Sequence, residues 1–513
     1  MAFDRSGTGA RVLVASNRGP VSYTLGDDGP PGSGGPDTAT LTARRGGGGL
    51  VSGLSAIGPD AGAVWVCAAL GEGDREAVRR AAGGHLDPAD TGGQRVRMLD
   101  IAPEVFTAAY NDIANSVLWF VHHLLYQTPL DPVFDDRFRA RWAAYENYNA
   151  AFADALAQEA ADGATVLVQD YHLALVPGLL RDLRPDLRIG HFSHTPWAPP
   201  DYFRLLPDDI AAQLLRGILG GDRAAFLTRR WADAFADCCA AVLGAEVERG
   251  EEPEGRAAVG TGPGAVIAGP GVRFEGRTTR LGVHGLGADA DFLRQRSRRP
   301  DVDERLAALR EQIGPGRKTI VRVDRTELSK NIVRGLLAYR RLLERQPEWR
   351  GRVVHLAFAY PSRQDLAVYR EYTDEVRRVA EEINATFGTA DWQPVALHVK
   401  DDFARSLAAY RLADVALVNP IRDGMNLVAK EVPVVSEKGC ALVLSREAGA
   451  FAELGADALV VNPYDVEATA RALHEALLMP DAERAGRSGR LAAAATALPP
   501  RDWFLAQLRA LGG

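Results

Sequence analysis

Short apolar runs alternate along this chain with longer stretches whose apolar positions recur at helical spacing. Arg11-Val-Leu-Val-Ala15 reads as the first strand, and Thr165-Val-Leu-Val168 and Leu187-Arg-Ile-Gly-His-Phe192 as two more. The second half repeats the pattern in Thr319-Ile-Val-Arg-Val323, Val353-Val-His-Leu-Ala-Phe358, Val415-Ala-Leu-Val418 and Ala441-Leu-Val-Leu444. Long helices are predicted over Arg141 to Ala161 and over Asn331 to Arg345. Strands alternating with helices predict an α/β chain with parallel sheets. The Gly/Pro-rich stretch Gly26 to Thr40 has little to bury and reads as a loop, and Glu248 to Gly276 as irregular chain or a loose hairpin. Periodicity breaks at Leu281-Gly-Val-His-Gly-Leu-Gly287, so domains are expected at residues 1–283 and 284–495. After Pro499-Pro500, the helical spacing of Phe504, Leu508 and Leu511 predicts a closing helix at about residues 496–513, packed back on the first domain.

Length agrees with that division, because 513 residues exceed one ordinary core and suit two domains of roughly 200 to 280 residues. A hydrophobic fraction of 46% and a charged fraction of 25% describe a soluble globular protein. The net charge of −7 argues against nucleic acid as a partner, yet leaves room for a small anion held by clustered Arg and Lys. No basic leader with an apolar core opens the chain, and no apolar run is long enough to span a bilayer, so a cytoplasmic setting is expected. Cys67, Cys238, Cys239 and Cys440 form no CxxC pair, which suggests neither a disulfide framework nor a zinc site.

The chemistry-bearing residues cluster where strands end. Arg422-Asp-Gly-Met-Asn-Leu-Val-Ala-Lys-Glu431 follows the apolar run ending at Val418. Gly424 permits a close turn, after which the amides of Met425, Asn426 and Leu427 are expected to open a helix whose start favours a phosphate. On a continuous helix Asp423 and Glu431 would stand roughly 12 Å apart, enough to reach the hexose and the ribose of a nucleotide sugar. The plain alternative is a surface turn before a charged helix. Asp170, with Tyr171 and His172, closes one strand, and His194 closes the next; ligands of open α/β sheets bind at such ends. Arg325 and Lys330 follow another strand and suit the growing charge of a diphosphate leaving group. Each has a structural alternative: a helix-capping Asp, a locally bonded His, a solvated basic face. Gly48 and Gly49 sit in a glycine cluster that can admit a phosphate or simply form a flexible loop, and Arg18 adds a cation after the first strand.

Taken together, the chain resembles the trehalose-6-phosphate synthases, retaining glycosyltransferases of the GT-B type. The resemblance runs through Ser16-Asn-Arg18, Gly48-Gly-Leu-Val-Ser-Gly53, Tyr110-Asn111, Asn115-Ser-Val-Leu-Trp119, Gln169-Asp-Tyr-His172, His194-Thr-Pro196, Val323-Asp-Arg325 with Lys330, Pro361-Ser-Arg363, Arg422 to Glu431 and Val461-Asn-Pro-Tyr-Asp465. It implies two Rossmann-like domains facing a deep cleft, the first for glucose 6-phosphate and the second for the nucleotide sugar. It also implies acceptor contacts from Arg18, Tyr110, Trp119, Asp170, Tyr171 and Arg363, with Asp170 and His194 at the reacting centre. Donor contacts are implied for Gly48, Gly49, Arg325, Lys330, Asp423, Gly424, Met425, Asn426, Leu427 and Glu431, and catalytic roles for Asp170, His194, Arg325, Lys330 and Asp423. The implied reaction is front-face displacement with retention and no enzyme nucleophile, with no metal or cofactor and a possible homo-oligomer.

Three stretches depart from the family pattern. Trp65-Val-Cys-Ala68 stands where many relatives have Trp-Phe-Gly-Trp, Ala225-Phe-Leu-Thr228 replaces a Gly-Phe-His/Gln-Thr stretch, and Thr326-Glu-Leu-Ser-Lys330-Asn331 replaces Leu-Asp-Tyr-x-Lys-Gly. These resemble actinobacterial members and partly the pseudo-glycosyltransferases that join two cyclitols, which favours GDP-glucose over UDP-glucose as donor. A cyclitol-coupling enzyme and a catalytically silent sugar-phosphate sensor are the alternatives. A hydride-transfer enzyme is disfavoured, since no GxGxxG follows the first strand.

Overall fold

The computed structural model describes residues 9–26, 40–46, 62–248 and 271–512. The chain divides into two compact units, one running to Gly285 and resuming at Pro500, the other spanning Leu286–Pro499. In the first unit the described strands are β1 (Ala10–Ala15), β2 (Val21–Gly26), β3 (Thr40–Arg45), β4 (Val64–Ala68), β5 (Arg95–Leu99), β6 (Ala160–Gln169), β7 (Arg188–Ser193), β8 (Arg223–Phe226), β9 (Glu246–Glu248), β10 (Gly271–Phe274) and β11 (Arg277–Val283). One sheet has the order β5-β4-β1-β6-β7-β8-β11-β10-β9, and β2 and β3 pair separately. All neighbours from β5 to β11 are parallel, and β10 and β9 close the edge antiparallel.

The second unit holds β12 (Lys318–Arg325), β13 (Val353–Tyr360), β14 (Val395–His398), β15 (Val415–Val418), β16 (Ala441–Ser445) and β17 (Leu459–Val461), all parallel in the order β14-β13-β12-β15-β16-β17. Every residue of β13 is buried, as is every residue of β4, because helices cover both faces of a parallel sheet. The two units share one winding. From its first strand each sheet grows outward through two further strands, then restarts on the other side of that first strand. This is the doubly wound Rossmann order, and it opens a crevice where the direction reverses: between β1 and β6 in one unit, and between β12 and β15 in the other.

Local boundaries follow from caps. The helix expected from Arg141 begins at Asp136, because Asp135 caps it by accepting the Phe138 amide at 2.9 Å. That helix ends at Glu159, and β6 begins five residues before the expected Thr165, paired through Ala160 to Ala10. The helix expected from Asn331 runs Ile332–Arg345 and buries Ile332, Leu336, Tyr339, Leu342 and Leu343. Helix Pro500–Ala510 belongs to the first unit. Its Trp503 packs edge-on against Phe192 of β7 at 4.8 Å and 82°. Among the described residues no helix is long and apolar enough to cross a membrane.

Candidate active site

In the first unit the segments after β1 and β6 flank the reversal point. Ser16 Oγ accepts the Trp65 indole N–H and donates to the Arg18 carbonyl, both at 2.7 Å. Trp65, on neighbouring β4, therefore props the turn that presents the exposed Arg18. Tyr148 donates to Asn17 Oδ1 at 2.6 Å and holds the same turn from the long helix.

After β6, Asp170 adopts φ 71°, ψ 171°, a conformation rare for any residue but glycine. Its amide donates to the Phe192 carbonyl at 2.7 Å, and its Oδ1 accepts the His194 amide at 3.1 Å. The His194 Nε2 meets Gln169 Oε1 at 2.9 Å. Burial, with His191 adding to it, pushes the His194 imidazole down to about 3, and burial pushes His191 down to about 4. Both rings are neutral at neutral pH, so His194 presents hydrogen-bonding nitrogens without a positive charge.

Aromatic residues wall this corner. Tyr110 stacks on His172 at 5.4 Å and 17°, and Trp119 lies 5.8 Å from Tyr171, whose hydroxyl donates to Asn115 Oδ1 at 2.8 Å. Tyr110 and Asn115 come from Ala108–Leu118, a π-helical stretch that leads into Trp119–His123. Its wider turn carries a Ser116 Oγ bond to the carbonyl of Asn111, five residues back. The structure thus gathers Asp170, Tyr171, His194, Tyr110 and Trp119 in one unit, with Arg18 on the flanking turn. Gly48 and Gly49 lie outside the described residues.

In the second unit, the segments after β12 and β15 meet. Lys330 Nζ reaches Asp423 Oδ2 at 2.6 Å, Asn426 Nδ2 donates to the same oxygen at 3.0 Å, and the Gly424 amide donates to Asp423 Oδ1 at 2.9 Å. Burial pulls the Lys330 ammonium down, but Asp423, Glu327 and Asp324 outweigh it and hold the group above its ordinary value. Beneath this cluster Arg322, almost wholly buried, pairs with Asp324 at 2.8 Å and donates to the Lys330 carbonyl at 2.9 Å. Burial raises the Asp324 carboxyl although Arg322 and Lys330 oppose it. Arg325 is 59% exposed, with its guanidinium 3.2 Å from the fully buried Glu327.

The departures from the family pattern find physical reasons here. Asn331 has φ 58°, a left-handed position that glycine or asparagine tolerates, and its Nδ2 donates to the Asn419 and Pro463 carbonyls at 2.9 and 2.8 Å. Glu327 accepts a bond from Ser362 Oγ at 3.0 Å, tying the ends of β12 and β13 together.

Two expectations are corrected. The helix after Gly424 starts at Leu427, not Met425, because Asn426 is its N-cap: at φ 66° its Oδ1 accepts the Ala429 amide at 3.2 Å. The roughly 12 Å separation of Asp423 and Glu431 assumed helix throughout and does not apply across residues 423–426. Arg363 belongs to the second unit, at φ 48°, and donates to the Tyr369 hydroxyl at 2.8 Å. Glu431 accepts from the Tyr410 hydroxyl at 3.3 Å, and burial pushes its carboxyl up to about 7.

The sequence reading missed Gly449. An added Cβ there would fall 1.7 Å from the Gly424 carbonyl oxygen, so glycine is required for the segment after β16 to press on the Gly424 turn. Arg322 and Tyr410 were also missed: the Arg322–Asp324 pair is local, two positions apart on β12, but its burial is not visible in the sequence, and Tyr410 meets Glu431 from 21 positions away. Among the described residues no group of three or more His, Cys, Asp or Glu is placed to hold a metal ion. Each unit thus sets polar residues at a sheet's reversal point. One offers a carboxylate, a neutral imidazole and aromatic walls suited to a sugar; the other offers cations and backbone amides suited to a phosphate.

Residues 10–512 match the family model described as glycosyltransferase family 20. The UDP-forming alpha,alpha-trehalose-phosphate synthase 2 of Aspergillus niger is 33% identical over 94% of this chain and 92% of its own length. A bifunctional trehalose-6-phosphate synthase/phosphatase of Thermoproteus tenax is 33% identical over 93% of this chain, which spans 60% of that relative's length. Among solved structures, an E. coli trehalose-6-phosphate protein bound with UDP-2-fluoro glucose superposes with TM-score 0.79 at 27% identity, covering 98% of this chain and 99% of that one. A UDP-forming alpha,alpha-trehalose-phosphate synthase of Burkholderia xenovorans in complex with glucose-6-phosphate has TM-score 0.79 at 26% identity, covering 98% and 100%.

Proposed function

The chain belongs to glycosyltransferase family 20, with the two Rossmann-like domains of the GT-B class, and from that premise we propose that it makes trehalose 6-phosphate from a nucleotide glucose and glucose 6-phosphate. The observation that carries this reading is the Lys330–Asp423–Gly424 cluster at the reversal point of the second sheet. It offers a cation and a tight backbone turn where a sugar diphosphate needs them. Arg325 and Lys330 take the diphosphate, Asp423 and the amides after Gly424 the hexose and phosphate, and Glu431 the ribose. In the first unit Asp170, Tyr171, Tyr110, Trp119 and Arg18 take the acceptor, with Arg363 reaching its phosphate, and His194 contacts the sugars at the reacting centre.

The acceptor hydroxyl attacks the anomeric carbon from the side on which the phosphate leaves. A carbon–oxygen bond forms as the bond to phosphate breaks, and the hydroxyl proton passes to the departing phosphate oxygen. Configuration is retained without an enzyme nucleophile, and no metal is needed because Arg325 and Lys330 meet the developing charge.

The Aspergillus niger and Burkholderia xenovorans proteins are named UDP-forming, and the E. coli protein is bound with UDP-2-fluoro glucose. They lend no support to the guanine nucleotide favoured from the altered stretches, and UDP-glucose is the donor we put first. The test is product formation from glucose 6-phosphate with UDP-glucose and GDP-glucose supplied separately. Trehalose 6-phosphate from either supports the reaction, and the rate ratio names the donor. Absence of product with both overturns it and points to cyclitol substrates or to a catalytically silent sensor.

A further inference from the structure

His194 is anchored at two points, its amide on Asp170 Oδ1 and its Nε2 on Gln169 Oε1. One bond at Nε2 leaves an imidazole free to swing about that contact unless its faces are walled. Phe192 forms one wall, 4.8 Å from the ring at 55°. The other is Trp503, 5.5 Å away at 49°, from helix Pro500–Ala510.

Trp503 is itself immobilised. It is fully buried, stands edge-on to Phe192, and donates its indole N–H to the His284 carbonyl at 3.2 Å. Leu511, just past the helix, presses on Gly190 of β7, where an added Cβ would fall 2.7 Å from Leu511 Cδ1. The backbone that carries His194 and the side chain that walls it are therefore clamped together.

We propose that Trp503 is a positioning residue for His194, holding the imidazole in the single orientation that meets the sugar. This rests on the reading of His194 as a sugar contact. Being fully buried, Trp503 acts through the histidine and not on substrate. The indole also keeps water from the ring. The charged and titratable groups nearby are His191 of β7, the strand that leads into His194, the Asp170 carboxylate on the backbone side, and, beyond Trp503, His284 with Arg223 Nη2 at 3.4 Å from its Nε2. Loss of the indole admits water and loosens the ring, so a charge on the imidazole becomes easier to bear.

The experiment compares wild type, Trp503→Phe, Trp503→Leu and His194→Ala in the full chain. Transfer from UDP-glucose to glucose 6-phosphate is measured against pH. Histidine ring-nitrogen NMR is followed in parallel, with the His194 signal assigned by its loss in H194A. We expect kcat to fall about ten- to hundred-fold in W503L, as for a misplaced contact, with KM for UDP-glucose changing less than about two-fold. The His194 ring titrates at higher pH in W503L than in wild type, and W503F lies between in both readouts. Unchanged kcat and unchanged ring titration in W503L overturn the proposal. If W503L does not fold, W503F decides by the same two readouts. Full turnover in H194A overturns the role given to His194, while the ring titration still judges the Trp503 contact.

Discussion

Lys330 Nζ lies 2.6 Å from Asp423 Oδ2, joining residues 93 positions apart at 14% and 10% side-chain exposure. Removing either partner leaves the other charge buried. Lys330→Met or Asp423→Leu should each cost about 3–5 kcal/mol of stability, and the double variant should recover part of that loss. Urea unfolding of the four proteins measures it; equal midpoints would show that the pair contributes nothing.

Glu431 should make stability and nucleotide affinity pH-dependent in opposite senses. Its carboxyl ordinarily titrates at 4.5 and is raised by burial to about 7 in the fold. Between these values the native state holds a proton that the unfolded chain has released, so the contribution of Glu431 to stability falls as pH rises through that window. Glu431→Gln should match wild type near the lower end and exceed it above the upper end by on the order of 3 kcal/mol. UDP affinity, if the ionised carboxylate accepts the ribose hydroxyls, should tighten through about pH 7 in wild type and stay flat in E431Q. Calorimetric titration across that range decides.

At Asp170 strain and bonding oppose each other. The backbone at φ 71° costs a non-glycine residue about 1–3 kcal/mol, while the bond from the His194 amide to the carboxylate returns about 1.5–3 kcal/mol. Asp170→Gly loses both and should unfold within about 1 kcal/mol of wild type. Asp170→Ala keeps the strain without the bond and should be less stable than D170G by about 1–3 kcal/mol. Both should lose turnover. Equal stability of the two variants would remove the case for strain.

Arg325 is exposed enough for its charge to be screened. Arg325→Ala should shift stability by less than about 1 kcal/mol, yet lower kcat about 100-fold, since leaving-group charge peaks as the bond breaks. Initial rates at saturating glucose 6-phosphate test this, and a defect confined to acceptor KM would contradict it.

Local pattern carried the central strands of both sheets, β1, β6 and β7 in one and β12, β13, β15 and β16 in the other. β15 falls where its apolar run predicts, and Lys330 and Asp423 were each legible as strand-end residues. Their pairing was not, because it depends on β12 lying beside β15, a long-range choice that periodicity does not encode. The helix start at Leu427 is hidden in the sequence because asparagine suits a helical amide and a cap alike, and only the fold makes Asn426 the cap. The true start of helix Asp136–Glu159 was readable, since Asp135 is a standard capping residue. The backbone of Asp170 gives no sequence sign at all: a strained aspartate and a relaxed one are spelled alike.

The return of helix Pro500–Ala510 makes the second unit an insertion within the first. During synthesis, β1 to β11 leave the ribosome well before the helix that covers Phe192 and seats Leu511 on Gly190. The first sheet must therefore wait, with that face bare, while Leu286–Pro499 is translated and folds. The half that emerges first is the half completed last, and a ribosome stalled inside the second unit would expose an apolar sheet for chaperones to hold.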